Sequence, residues 1–550
     1  MTFPKIGRMF DLKFVNARII DGTGSPWMRG EVAIRDGMIV AVGRTVAGDA
    51  GETVDLKGRI LAPGFIDVHT HDDMAVLRDQ THAPKLLQGV TSVVLGNCGF
   101  GAAPLGAGWE GDLSRYASPV LGKLPERAPW TSFGDYLNTL DETPSTLNTV
   151  AQVAHGALRI AVMGFESRHA TTAEIERMIA MVSEAMQAGA IGLSLGLLYA
   201  PGCYADRSEL VALAAASARH GGILNCHVRT EGDSLLASLA EVMEIAEAAG
   251  SPLHVSHLKV VGPKNWGTIG RALEMIDKRR QGGLDVTCDI YTYTAGSSTL
   301  MSVLPPWVSS GSGADVMARL ADKTARARIK RDMETSVPRW DNLALMLGWD
   351  RVVISGVAGE ANRSLEGMNM AAIARVRGQD PVDCMLDLLV EERAQITMIL
   401  HQMSDEDVKS VLRSDFAMVG SDGIPLETDR VHPRHYGTFP RMLARYVRQE
   451  NIMSIEHAVR KMTSISARRF GLPRRGLIAE GAHADLVVFS ENDIEDKATF
   501  EEPRRFPVGL DRVHVNGRLV ASTGNISVER PGRLQRFGSA CCNGGLHSNH

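Results

Sequence analysis

The sequence predicts an α/β protein, a (β/α)8 TIM-like barrel with a small β-sandwich domain formed by both termini. Two observations carry this reading. Between residues 60 and 423, eight short apolar runs alternate with helix-patterned segments, the βα rhythm of a parallel sheet. The ends, 1–60 and 476–530, read instead as strands joined by turns, alike in style and unlike the middle.

In chain order, LKFVNARIIDGTG, EVAIRDGMIVAVG and GETVDLKGRIL open the β domain, with Asp36-Gly37 between two alternating runs as a hairpin signal. The eight middle strands are expected at 60–71, 90–99, 148–156, 190–197, 222–229, 252–259, 284–293 and 416–423. Helices are expected in TAEIERMIAMVSEAMQAG, with a Thr start and a Gly stop, and in RSELVALAAASARHGG and DSLLASLAEVMEIAEAAG. The barrel is expected over 61–475, with two long connections. Residues 100–147 read as more loop than helix. An insertion near 295–415 holds two helix-like stretches and one extra strand, ITMILH, and is expected to shape the substrate pocket. At the far end ADLVVFS and RVHVNGRLVAS return to the β style, with Asn516-Gly517 at a turn. The Gly-, Ser- and Asn-rich stretch 531–550 reads as a disordered tail; Cys541, Cys542, His547 and His550 within it are read as solvated rather than metal-binding.

The totals exclude several classes. A chain of 550 residues with a net charge of -5 has no nucleic-acid footprint. No run of 18 apolar residues offers a membrane span, and the first residues lack a signal-peptide core. Seven scattered cysteines suit a reducing, cytoplasmic setting better than a disulfide framework.

Function is read at the strand ends. His69 and His71 close the first strand at period two, so both imidazoles leave it on one face. A lone histidine is more often a satisfied core residue. The set differs: Cys98 ends strand two, His227 strand five, His257 strand six and Asp422 strand eight. A barrel gathers the C-terminal strand ends at one mouth, so these six meet there. Imidazole and thiolate suit zinc, which lowers the pKa of its water and polarises a carbonyl. Asp422 beside them is placed as the acid/base of an amide hydrolysis. His254 is read as core, His155 as a second layer behind the site, and His432 and His435 as groups able to touch substrate.

APGFIDVHTHDD, GNCG, HVRTE, HLK, GSDG and HPRHYGTFPR together resemble the amidohydrolase superfamily, and within it the N-acyl-D-amino-acid deacylases, over nearly the whole chain. The resemblance implies zinc-dependent hydrolysis of N-acyl-D-amino acids to a carboxylate and a free D-amino acid. It implies a tight zinc on Cys98, His227 and His257, and a weaker second metal on His69, His71 and the shared Cys98. It also implies a clamp for the substrate carboxylate from Lys259, Arg434 and Tyr291, or Tyr293 in another register, with Tyr199 and Ser297 in the pocket. The substrate is a small molecule; the oligomeric state is left open. Related hydrolases cleaving D-terminal dipeptides or cyclic amides are the alternative, the cyclic-amide version lacking a strand-end lysine where Cys98 stands.

Overall fold

The computed structural model describes residues 10–335 and 339–538. The ends of the chain meet in one nine-stranded sheet. Its N-terminal strands are Phe10–Ile19, Met28–Arg35, Met38–Gly43, Ala50–Asp55 and Ile60–Pro63. Leu486–Phe489, Leu510–Val515, Arg518–Ser522 and Asn525–Ile526 complete it. The join is antiparallel, with Leu61 opposite Val488. Both hairpin signals form: Asp36-Gly37 and Asn516-Gly517 have positive φ at both positions, the backbone twist that two-residue hairpins favour.

All eight expected middle strands are present. Phe65–Asp67, Val90–Leu95 and Asn148–Ala151 form one parallel sheet. Val153–Ala154, Gly192–Gly196, Ile223–His227, Leu253–Val255, Val286–Ile290 and Ala417–Val419 form another. Only Gln152 separates the two at the third strand. At the other side, Thr70 bridges Gly423 in parallel. There His71 N–H donates to Gly423 O at 3.0 Å and Asp422 N–H to His69 O at 2.8 Å. Helices Thr172–Ala188, Arg207–Ala218 and Leu235–Ala249 cover this layer as expected, the first capped by a reciprocal Thr171–Glu174 box. No described helix is long and apolar enough to cross a membrane.

Three sequence expectations need correction, and one, the loop-rich stretch 100–147, gains detail. The first strand is not continuous from 60 to 71: it splits at Gly64, its halves in different sheets. A Cβ there would lie 2.3 Å from Thr91 Cγ2, so only glycine lets the chain pass between the sheets. Residues 100–147 hold two helices, Glu110–Leu121 and Phe133–Glu142, the second started by a Ser132–Asp135 capping box. The insertion carries three strands, not one: Ala295–Thr299, Val352–Gly356 and Thr397–His401 pair antiparallel over an apolar core of their own. Finally, residues 531–538 are docked. Thr149 N–H donates to Arg533 O, Gln535 N–H to Thr149 O, and Phe537 N–H to Gly189 O. The remainder of the expected tail, with Cys541, Cys542, His547 and His550, lies outside the described residues.

Candidate metal centre

Each candidate ligand leaves the end of a parallel strand, and all six converge. His69 Nε2 is 3.1 Å from Cys98 Sγ and 3.4 Å from Asp422 Oδ1. His71 Nε2 is 3.1 Å from the same oxygen. His257 Nε2 is 3.4 Å from the same sulfur, its ring stacked on His69 at 5.0 Å, and the His227 and His257 rings meet edge to face at 4.3 Å. Two donor groups result: His69, His71, Cys98 and Asp422; and Cys98, His227 and His257. They share one thiol.

The local backbone is bent to make this possible. Cys98, His257 and Asp422 all have positive φ, at 54°, 32° and 50°, a region costly for residues with a side chain. Cys98 sits between Gly96 and Gly99. A Cβ on Gly96 would fall 2.2 Å from Gln152 O, and one on Gly99 2.7 Å from Gly196 N. The GNCG turn therefore needs both glycines to press the thiol into the centre.

A second layer orients the imidazoles, and sequence reasoning missed its carboxylates. Asp289 Oδ2 lies 3.2 Å from His69 Nδ1 and 2.9 Å from His254 Nε2, while Oδ1 accepts the His257 N–H at 3.0 Å. Glu231 Oε1 lies 3.1 Å from His257 Nδ1 and 2.5 Å from Lys259 Nζ. Carboxylates on the outer nitrogens leave the inner nitrogens free to ligate. The signal for Asp289 was a carboxylate within an apolar strand, two residues before Tyr291; for Glu231 it was the acid four residues after His227.

Charge follows geometry. Burial pushes the Cys98 thiol up, but the His69 and His257 imidazoles overcome it and hold it well below the usual thiol range. Burial also opposes charge on Asp422, yet Arg434 and His69 keep its carboxyl well below the carboxylate range. Burial and Lys259 would lower His257, but Cys98 and Glu231 push it up to about 9. The donors fit a metal: two acidic groups, one of them a thiol, and four imidazoles, all buried. His227 has no hydrogen-bond partner on either ring nitrogen, nor His71 on Nδ1. Buried polar atoms without partners are uncommon, and a bound cation would satisfy the inner ones.

A cavity of about 530 Å³ opens on this centre. Lys259, Tyr291, Tyr199 and Ser297 line it, with Glu231, Gln402 and Asp422. The Tyr291 hydroxyl and Ser297 Oγ are buried without hydrogen-bond partners. Arg434 stands behind the wall, its guanidinium 4.5 Å from the centroid of the Tyr291 ring and Nη1 2.8 Å from Asp422 Oδ2. Tyr293 turns away and donates to Asp496 at 2.8 Å, whereas Tyr291 faces the cavity. A second cavity, about 690 Å³ and largely apolar, shares Phe100, Leu198, Tyr199 and Ser302 with the first.

Other expectations shift. His254 is buried as expected, but hydrogen-bonds the carboxylate beneath His69. His155 is no neighbour of the centre; it pairs with Glu209 at 2.7 Å in a buried cluster with Arg159. His432 is saturated by Ala295 O and the Arg434 N–H, and His435 faces a different cavity with Lys85 and Asp72. Neither lines the space above the centre. Asp72 turns to Lys85 at 3.4 Å, and neither Asp72 nor Asp73 belongs to the donor groups.

A shared thiol between two histidine-rich groups at the strand ends of a parallel α/β layer defines a metal-centred hydrolase class. Comparison with known proteins agrees. The Amidohydrolase family model matches residues 52–521, and the chain belongs to that family. D-aminoacylase of Alcaligenes xylosoxydans xylosoxydans is 34% identical, over 96% of this chain and 97% of its own. The crystal structure of N-acyl-D-glutamate deacylase from Bordetella bronchiseptica, complexed with zinc and a phosphonate mimic of the tetrahedral intermediate, superposes with a TM-score of 0.82 at 34% identity. It covers 96% of this chain and 100% of that one. A D-aminoacylase structure described by its binuclear metal centre gives a TM-score of 0.81 at 33% identity, with 96% and 100% coverage.

Proposed function

We propose that this protein is a zinc-dependent deacylase that hydrolyses N-acyl-D-amino acids to a carboxylate and a free D-amino acid. The observation that carries this reading is the pair of donor groups sharing Cys98 at the floor of the cavity. The relatives' own activities supply the substrate class. The eight parallel strands are read as a (β/α)8 barrel, joined through the third strand and the Thr70–Gly423 bridge. The nine-stranded sheet is read as a small sandwich folded over Leu12, Phe14, Val32 and Leu486. The scattered cysteines favour the cytoplasm, and nothing in the charge points to a nucleic-acid partner.

Cys98, His227 and His257 would hold the tighter zinc; His69, His71, Cys98 and Asp422 would hold a weaker second ion. When bound, zinc acidifies water and polarises the amide carbonyl. The residues do the rest. Asp422, kept ionised by Arg434, takes the proton of the attacking water and delivers it to the leaving nitrogen. Asp289 and Glu231 hold His69 and His257 with their inner nitrogens facing the centre. Lys259 and the unpartnered hydroxyls of Tyr291 and Ser297 receive the free carboxylate of the substrate. Arg434 adds positive charge from behind Tyr291, and Tyr199 divides the two cavities.

The test is a substrate panel, assayed with zinc content measured alongside. N-acetyl-D-methionine or N-acetyl-D-leucine should be cleaved and the L-forms spared. Equal rates on both hands would overturn the reading, and selective turnover of D-terminal dipeptides or of a cyclic amide would replace it.

A further inference from the structure

The insertion reaches the centre's second layer through Asp341. Asp341, only 6% exposed, directs Oδ2 at two successive backbone amides, Glu231 N–H at 2.6 Å and Gly232 N–H at 3.1 Å. Its neighbours reach the substrate space: Trp340 lines the apolar cavity and Leu343 the one above the centre. The contact is tight. A Cβ on Gly232 would fall 2.1 Å from Met346 Cε and 3.0 Å from Asp341 Oδ1. The strap is also fixed from within. Asn342 donates to Met333 O at 2.7 Å and accepts from Leu345 N–H at 3.1 Å. The partner of this contact, Glu231, has its carboxylate on both Lys259 and His257.

We propose that Asp341 is a positioning residue: by accepting both amides at Glu231-Gly232 it fixes the backbone from which Glu231 holds Lys259 and His257. A single oxygen spanning two adjacent N–H groups fixes a peptide plane more firmly than one hydrogen bond to a side chain. If the plane turns, the Glu231 carboxylate leaves the Lys259 ammonium at 2.5 Å and His257 Nδ1 at 3.1 Å together, and Lys259, itself 2.8 Å from His257 Nδ1, moves with it. The substrate's carboxylate then meets a displaced lysine, and one ligand of the tighter site loses its orienting partner. Burial pushes the Asp341 carboxyl up to about 6. The acceptor geometry, not the charge, carries the role; an amide oxygen in the same place would serve.

The inference rests on the deacylase reading for its substrate arm and on the donor set for its metal arm, so two measurements are paired. Asp341→Ala and Asp341→Asn are prepared as zinc-loaded full-length enzyme, with melting checked first. KM and kcat are measured on the N-acyl-D-amino acid the wild type cleaves best. Zinc loss to excess chelator is timed without substrate. Asp341→Ala should raise KM about tenfold or more with kcat little changed, and should speed zinc loss by about 10–100-fold, the usual cost of losing a ligand's orienting partner. Asp341→Asn should stay near wild type in both. Wild-type behaviour of Asp341→Ala overturns the proposal, as does an Asp341→Asn as damaged as the alanine variant. Should Asp341→Ala fail to fold, Asp341→Thr, which offers one short acceptor, takes its place: a partial loss supports the role and wild-type values overturn it. If the wild type cleaves no N-acyl-D-amino acid, the functional reading falls while the chelator arm still decides the positioning role.

Discussion

Replacing Asp289 with asparagine tests the second layer most directly. The carboxylate accepts three donors: the His257 N–H on Oδ1, and the His69 and His254 imidazoles on Oδ2. The amide of the Asp289→Asn variant keeps one oxygen acceptor, but its NH2 would face N–H groups. His254 can escape by exchanging its ring proton, because Thr287 Oγ1, 2.7 Å from Nδ1, can accept as well as donate. His69 has no such escape. Moving its proton from Nδ1 to Nε2 places it against Cys98 Sγ at 3.1 Å, in the direction of the metal. Keeping the proton on Nδ1 leaves a buried donor unsatisfied, at about 1–3 kcal/mol. The expected result is a loss of about 10–100-fold in affinity for a metal offered to His69, His71, Cys98 and Asp422, or about 1.4–2.8 kcal/mol. Competition against a coloured chelator measures it, with melting of the metal-free protein as the control for folding. A folded Asp289→Asn enzyme with wild-type affinity would refute the assignment of Asp289 as the group orienting His69.

Asp422→Asn should retain zinc on Cys98, His227 and His257 yet lose about 10²–10⁴ in kcat; a near-wild-type kcat would remove Asp422 from its role. Gly196→Ala would place a Cβ 1.9 Å from Cys98 O, so metal binding and melting temperature should both fall, and a variant that melts and loads as wild type would show that the GNCG turn is not set by this contact. The acid side of the stability curve should steepen through His82. Burial pushes its imidazole down to about 4 from an unfolded value near 6.5. The unfolded chain then binds the extra proton first, so stability falls as pH drops from 6.5 to 4, by about 3 kcal/mol from this group, and is unaffected by it above 6.5. Denaturant titrations between pH 4.5 and 7.5 should show a shallower fall in His82→Asn; parallel curves for the two proteins would refute it.

The strand frame was legible because apolar runs and helix caps are local signals. The breaks in it were legible too, though weaker. Pro63-Gly64 inside the first run is a turn dipeptide and marks where the chain leaves one sheet for another. Ser132 with Asp135 three residues on is a helix start inside a segment read as loop. The strands Ala295–Thr299 and Val352–Gly356 were hidden by small, polar or unalternating residues, AGSST and VVISG. Their strand character comes from pairing with Thr397–His401, which no short window contains.

The same division runs through the site. A candidate ligand announces itself by where its strand ends, so the convergence of His69, His71, Cys98, His227, His257 and Asp422 could be read one strand at a time. A residue that orients a ligand is defined by a partner elsewhere in the chain. Asp289 meets His69 across 220 positions and Asp341 meets Glu231 across 110, and neither distance is written in local pattern. The backbone of the centre belongs to this second kind. Positive φ at Cys98, His257 and Asp422 costs about 1–3 kcal/mol at each residue, and it holds where long-range groups take up the turned amides. His257 N–H goes to Asp289 Oδ1 and Asp422 N–H to His69 O. The carboxylate that fixes the tautomer of one ligand thus also holds the strained backbone of another. Hence Asp289, marked in the sequence only as a carboxylate inside an apolar strand, should be among the least replaceable residues of the centre.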